Sequence, residues 1–294
     1  MKTHIPVMLN EVLEYLNIKN NGIYIDCTFG GGGHSIEVIK KLSNKGKLFC
    51  LDLDIEAIEH SRVKFSKYKN VLILNDNFAN IENIAKKQKI RKINGVLLDL
   101  GFSSLQIEDE NRGFSFNYNA PLDMRFNKNG ILTAEQIVNN NSEAELENIL
   151  KDYADEQFAG SIAKGICLSR KEKKIQTTKD LVEIIKKSVP KWYQHRRVHV
   201  ATKTFQALRI ATNNELENIR KVILSAMDII SSKSRIVVIS FHSAEHRILK
   251  NIFKDAEKGN LIKLITKKPI FPKYEEIMHN SRARSAQMRV VEKI

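Results

Sequence analysis

Residues Gly22 to Asp54, GIYIDCTFGGGGHSIEVIKKLSNKGKLFCLDLD, constrain the fold more than any other stretch of the chain. An apolar run ends in Asp26, and four glycines, Gly30 to Gly33, follow it. Ile36, Ile39 and Leu42 then repeat at helical spacing, and a second apolar run closes on Asp52 and Asp54. Strand, glycine turn, helix and strand with a terminal acid is the nucleotide-binding half of an open α/β sheet. Glycine suits such a turn because the backbone must bend sharply and approach a ligand closely.

The rest of the chain extends this unit and then departs from it. Ile23 to Cys27, Leu48 to Leu53, Val71 to Leu74 and Gly95 to Leu100 read as strands, with helices between them. From about residue 105 to 210 no strand is expected. That stretch holds the aromatic loop RGFSFNYNAPLDMRF and then helical patterns at Thr133 to Val138, Glu143 to Tyr153, Glu156 to Leu168, Thr178 to Val189 and Val200 to Ile210. Thr133 with Gln136, Ser142 with Glu145 and Thr177 with Asp180 have the spacing of capping boxes. A strand returns at Arg235 to Phe241 and a helix at Glu245 to Ala256. Leu261 to Thr266 and Gln287 to Val291 are expected to pair antiparallel at a sheet edge. The pattern predicts a doubly wound α/β domain interrupted by a helical insertion.

Bulk properties narrow the class. A hydrophobic fraction of 42% over 294 residues supports a sizeable core, and no run of 18 apolar residues predicts a membrane span. The first residues lack the features of a signal peptide, so the cytoplasm is the expected location. Cys27, Cys50 and Cys167 have no metal-ligand spacing, and neither zinc nor a disulfide is expected. The net charge of +14 favours a polyanionic partner. The charge is also segregated: residues 105–160 carry 11 acids and 4 bases, residues 161–210 carry 13 bases and 3 acids. This predicts a basic face rather than a uniform coating.

The glycine turn differs from GxGxxG and lacks the Lys-Ser/Thr of a P-loop, so it suits neither a dinucleotide nor ATP phosphates. A less charged adenosine cofactor fits, and S-adenosylmethionine is one. Gly30 opens the turn, and the amides of Gly32, Gly33 and His34 would face the methionine end at a helix N-terminus. Asp26 could accept from the ammonium, Asp52 or Asp54 from the ribose, and Asp76 and Phe78 would flank the adenine. Asp99 ends the fourth strand, where an acceptor could orient an amine and stabilise positive charge developing on it. Ser103, Ser104 and Gln106 could position the base or the cofactor. Ser240, His242 and Ser243, after the fifth strand, would lie near the Asp99 turn, with His242 touching the target or its phosphate.

Lys186 to His199 interleave cations with Trp192 and Tyr193, so cations could meet phosphates while rings stack on bases. Arg282, Arg284 and Arg289 cluster in the tail.

The motifs together carry a resemblance. They are HIPVMLNEV from His4, YIDCTFGGGGHS from Tyr24, LDLGFSS from Leu98, RGFSF from Arg112, PLDMRF from Pro121, TFQALRI from Thr204, NELE from Asn214, SFHSAEHR from Ser240 and NSRARSAQMRV from Asn280. Over almost its whole length the chain resembles the bacterial 16S ribosomal RNA cytosine-N4 methyltransferases. The resemblance implies a Rossmann-like methyltransferase sheet (residues 1–105 and 211–294) with an inserted all-helical substrate-recognition domain (106–210). It implies an enzyme that uses S-adenosylmethionine to methylate a cytosine of the decoding centre in the small ribosomal subunit. Cofactor positions carry over to Gly32, Gly33, His34, Asp52, Phe78, Asp99 and Gln106, which favours Asp52 over Asp54. Expected RNA contacts are Arg112, Lys186, Lys187, Trp192, Arg196, Arg197, Arg282 and Arg284. The expected partner is 16S rRNA, with no membrane, and a homo-oligomer is compatible with the sequence. The family turn usually has Arg where Gly31 stands, and its strand-five motif usually reads FHSLED where this chain has Ala244 and His246. The alternative reading is a chain that binds RNA or ribosomal precursors without turnover.

Overall fold

The computed structural model describes residues 5–101, 106–107 and 109–294. The chain divides into two compact units, Met1–Ser103 with Leu216–Ile294, and Ser104–Glu215.

The first unit is built on a seven-stranded sheet. Its strands are β1 (Ile23–Asp26), β2 (Lys47–Asp52), β3 (Val71–Asn75), β4 (Ile93–Asp99), β5 (Ile230–Ser240), β6 (Ile262–Leu264) and β7 (Gln287–Lys293), in the order β3-β2-β1-β4-β5-β7-β6. The first five run parallel; β7 lies antiparallel between β5 and β6. The expected tail hairpin is therefore present, joined to the sheet through its second strand. The sheet is buried on both faces, which is why its strands read as continuous apolar runs. Ile25, Phe49, Leu51, Val96, Leu98, Ile236 and Val238 point to one core. Tyr24, Leu48, Cys50, Leu97, Val237, Ile239 and Met288 point to the other. Helices α1 (Leu9–Tyr15), α2 (Gly33–Lys40) and α3 (Ile55–Phe65) cover the second face. On the first face lie α4 (Ile81–Lys87), α11 (Glu215–Ile229, its first residue in the other unit) and α12 (Ser243–Lys258). Cys27 and Cys50 are buried free thiols; burial pushes both well above the usual thiol range, so they pack as small hydrophobes. Among the described residues no helix is long and apolar enough to cross a membrane.

The second unit packs helices α5 (Ala134–Asn140), α6 (Glu143–Ala154), α7 (Ala159–Glu172), α8 (Thr178–Ser188), α9 (Lys191–Gln194) and α10 (Thr202–Asn213) around one apolar core. All three expected capping boxes form, at the starts of α5, α6 and α8. Two expected helix starts are too early. Glu156 lies before α7 as a buried carboxylate, accepting from Phe158 N at 3.0 Å and Tyr193 Oη at 2.8 Å. Val200 is a buried residue ahead of α10.

Candidate active site at the carboxyl ends of the strands

β1, β2 and β4 end on Asp26, Asp52 and Asp99. The strand order reverses between β1 and β4, and ligands of open α/β sheets bind in the crevice outside the strand ends at such a point.

The glycine turn meets this point directly after β1. Gly30 and Gly32 have φ of 49° and 71°, a region side chains rarely adopt. A Cβ on Gly32 would sit 2.5 Å from the Phe65 ring, whereas one on Gly30 or Gly31 would meet nothing within 4 Å among the described residues. One side of the turn is thus packed against the protein and the other is open. The Asp52 carboxylate ties the turn to β2, accepting from Gly30 N at 2.6 Å and Asp54 N at 2.8 Å. Burial outweighs these two bonds and pushes Asp52 up to about 6. Asp54 caps α3 by accepting from Glu56 N at 3.1 Å, so its carboxylate serves the helix. Asp76 accepts from Asn77 N at 2.7 Å and Asn80 Nδ2 at 2.8 Å, which shapes the turn before the 3₁₀ turn Phe78–Asn80. Phe78 is half-buried and packs on the sheet core. Asp26 is buried and accepts from Ser35 Oγ at 2.6 Å and Thr28 N at 3.1 Å; burial raises it above the usual carboxylate range.

Asp99 has the most telling surroundings. Its backbone N donates to Thr28 Oγ1 at 2.6 Å, which pins the end of β4 to the loop after β1. Its Oδ2 lies 3.6 Å from His34 Nδ1, and its buried Oδ1 has no hydrogen-bond partner among the described residues. Burial pushes it up to about 6; the His34 ring opposes this, and the charges of Asp26 and Glu245 add to it. A buried carboxylate oxygen left unpaired is costly unless something else binds it.

Beyond β5, His242 begins α12 as its cap. Glu245 N donates to His242 Nδ1 at 3.4 Å, and His242 Nε2 lies 3.2 Å from Glu245 Oε1. Glu245, fully buried, accepts from Phe241 N at 2.7 Å. The ring expected to touch the target is engaged with its own helix. Ser240 Oγ lies 2.7 Å from His246 Nδ1 and donates to Gln287 O at 3.3 Å, so His246, absent from the usual motif, is bound to the end of β5.

The chain matches the model of the MraW methylase family along residues 1–294. It belongs to the MraW methylase family. Among curated members, the ribosomal RNA small subunit methyltransferase H of Clostridium botulinum is 45% identical over 306 residues, covering 99% of each chain. That of Mesoplasma florum is 46% identical over 311 residues, covering 100% of each. A solved rRNA methylase from Streptococcus thermophilus superposes with a TM-score of 0.46 at 10% identity, covering 97% of this chain and 93% of that one.

The residues fit S-adenosylmethionine, the cofactor expected from the sequence. The open side of Gly30 and Gly31 leaves room for a ligand, the α2 amides supply donors at a helix N-terminus, and Asp52 and Asp99 end the flanking strands. Ser103 and Ser104 lie outside the described residues. Gln106 is buried in the helical unit. Arg112, expected at an RNA surface, is a correction: it is only 3% exposed, and its Nη2 donates to the carbonyls of Arg125 and Phe126 at 2.7 and 3.1 Å. An aromatic-rich loop needs such a donor to satisfy its buried carbonyls. Lys187, Trp192, Arg196 and Arg197 are exposed and Lys186 half-exposed; in the first unit Arg282 and Arg284 are exposed. Tyr193, between Trp192 and Arg196, is a core anchor instead, held by Glu156 and pushed up to about 12 mainly by burial.

What sequence reasoning missed is the second role of His34. Its Nε2 meets Val7 O at 2.9 Å while Nδ1 faces Asp99. The motifs HIPV and GGGGHS contain both partners, but only the fold brings them together.

Proposed function

We propose that this protein transfers a methyl group from S-adenosylmethionine to the exocyclic N4 of a cytidine in the decoding centre of 16S rRNA. The observation that carries this reading is the buried Oδ1 of Asp99, unpaired among the described residues, at the switch point beside the glycine turn. Membership of a methylase family whose curated members are ribosomal RNA small subunit methyltransferases supports the substrate.

The bound cofactor supplies an electrophilic methyl group on a positively charged sulfur. The glycine turn and Asp52 hold its amino-acid and ribose ends. Asp99 would accept a hydrogen bond from the cytosine amine and so orient its nitrogen for the transfer. The base must leave its stack to reach a pocket at the strand ends. Lys186, Lys187, Arg196 and Arg197 meet phosphates and Trp192 offers a ring face; Arg282 and Arg284 add cations in the first unit. Ribosomal RNA as substrate puts the protein to work in the cytoplasm.

The test is labelled methyl transfer to small subunits lacking this modification, followed by digestion and mass analysis of the RNA. N4-methylcytidine at one site is expected. Label in protein, label in another base, or RNA binding without incorporation would overturn the reading.

A further inference from the structure

The carbonyl oxygen of Val7 can only accept, so the His34 Nε2 that lies 2.9 Å from it carries a hydrogen. In a neutral ring Nδ1 is then a bare lone pair. That lone pair faces Asp99 Oδ2 at 3.6 Å, in a site where both side chains are largely buried, 7% and 18% exposed. Two acceptors pointing at each other repel, and the repulsion is strongest away from water. One proton between them removes the conflict. No other hydrogen-bond donor reaches the Asp99 carboxylate among the described residues, whose Oδ1 has no partner.

We propose that His34 is a positioning residue for methyl transfer: a single proton sits between its Nδ1 and Asp99 Oδ2, aiming Asp99 Oδ1 at the cytosine amine. The inference rests on the functional reading above for the identity of the amine, but the proton arrangement belongs to the protein alone. The ring is held from behind by Val7, whose segment is itself anchored. Met8 N donates to Glu276 Oε1 at 2.7 Å, and the Pro6 ring lies where a Cβ on Gly33 would touch it. The N-terminal segment thus sets the ring, and the ring sets the carboxylate.

When N4 gains its methyl group it becomes positively charged. An N–H bond then breaks, its electron pair stays on nitrogen, and the proton goes to Asp99 Oδ1. The proton already on the Nδ1 side remains there, so the pair holds two protons until one passes to solvent. The groups that act on this pair are known by position. Asp26 on β1 and Glu245 on α12 are the other charges that bear on Asp99, and Thr28 binds its backbone rather than its carboxylate. Asp26 accepts from Ser35 Oγ, and Glu245 accepts from Phe241 N and has His242 Nε2 at 3.2 Å. Turnover is therefore expected to fall in acid, as Asp99 takes up a further proton.

The decisive measurement is nitrogen NMR of the cofactor-free full chain labelled with ¹⁵N-histidine, recorded across the pH range. Near neutral pH, His34 should show a hydrogen on Nε2 and a proton-bearing Nδ1. In Asp99→Asn the amide can donate to the ring, so Nδ1 should appear as a bare acceptor at the same pH. A bare Nδ1 in the wild type, unchanged by Asp99→Asn, would overturn the proposal whether or not the protein methylates RNA. Two variants give a second readout. His34→Asn places a non-titrating donor near the Nδ1 position, and His34→Gln reaches Val7 but offers nothing to Asp99. His34→Gln should lower kcat by about tenfold or more with little change in the KM for S-adenosylmethionine, and His34→Asn should recover part of the rate. Equal losses of kcat in both would show the ring to be a packing element only.

Discussion

Asp99 and Gly32 show how single residues set the terms of this site. Asp99 has its folded-state value pushed from 3.8 up to about 6, so the folded protein holds a proton there that the unfolded chain has released between those pH values. Stability from this group therefore falls as pH rises through that window, and the penalty, about 3 kcal/mol at most, is complete above it. Asp99→Asn should be more stable than the wild type in urea melts at pH 8, with the gain vanishing towards pH 4, while methyl transfer drops by about a hundredfold or more. Equal stabilities at both pH values would contradict the burial argument. Gly32→Ala must accept a left-handed φ of 71° and a Cβ 2.5 Å from Phe65. A loss of about 2–4 kcal/mol is expected. Gly31→Arg, into open space at the position where the family usually has arginine, should change stability by less than about 0.5 kcal/mol. Chemical denaturation of the two variants side by side checks the contrast. At this scale the glycines and acids are legible in the sequence, because a positive φ and a ligand at a strand end demand particular residue types. The bond partners of Asp99 are not, because they come from residues 65 and 71 positions away.

Helix starts make a second set of expectations. α5, α6 and α8 each begin with a reciprocal box written into four consecutive residues, which is why sequence alone reveals them. Ser142→Ala should cost about 1 kcal/mol, measured by thermal melts, since the Glu145 amide loses its acceptor. α12 has the same device with an unusual residue, His242, in the capping position. Histidine is not among the common caps, so in sequence the pattern is hidden and a chemical role fits the residue equally well. His242→Ser should keep both stability and turnover, because serine caps as well. His242→Ala should lose about 1 kcal/mol. Loss of turnover in a fully folded His242→Ser would return that ring to the reacting groups. Loop-to-helix boundaries are the least readable. Glu156 fits a helical pattern, but Tyr193, 37 positions on, claims its carboxylate.

For the whole molecule, charge decides how RNA is met. The exposed cations and Trp192 around α9 should make RNA affinity fall steeply with salt. Replacing Arg196 and Arg197 together by alanine should flatten the slope of log affinity against log salt by roughly 0.7 for each phosphate of single-stranded RNA that is no longer neutralised. Arg112→Ala should leave that slope unchanged but destabilise the helical unit by about 1–3 kcal/mol, since two carbonyls lose their buried donor. Filter binding over a salt series, paired with melts, separates surface cations from the buried one. The same comparison explains why charge counts mislead: composition gives the number of arginines, and burial sorts them. The sequence by itself determined the parallel sheet, its helical interruption, the glycine turn and the acids that end the strands. These depend on local backbone demands and on hydrophobic periodicity, which neighbouring residues record. Only the tertiary structure decided which cations face solvent, that His242 serves a helix, and that His34 stands between Val7 and Asp99. Those outcomes depend on desolvation and on contacts between distant segments, which no local pattern encodes.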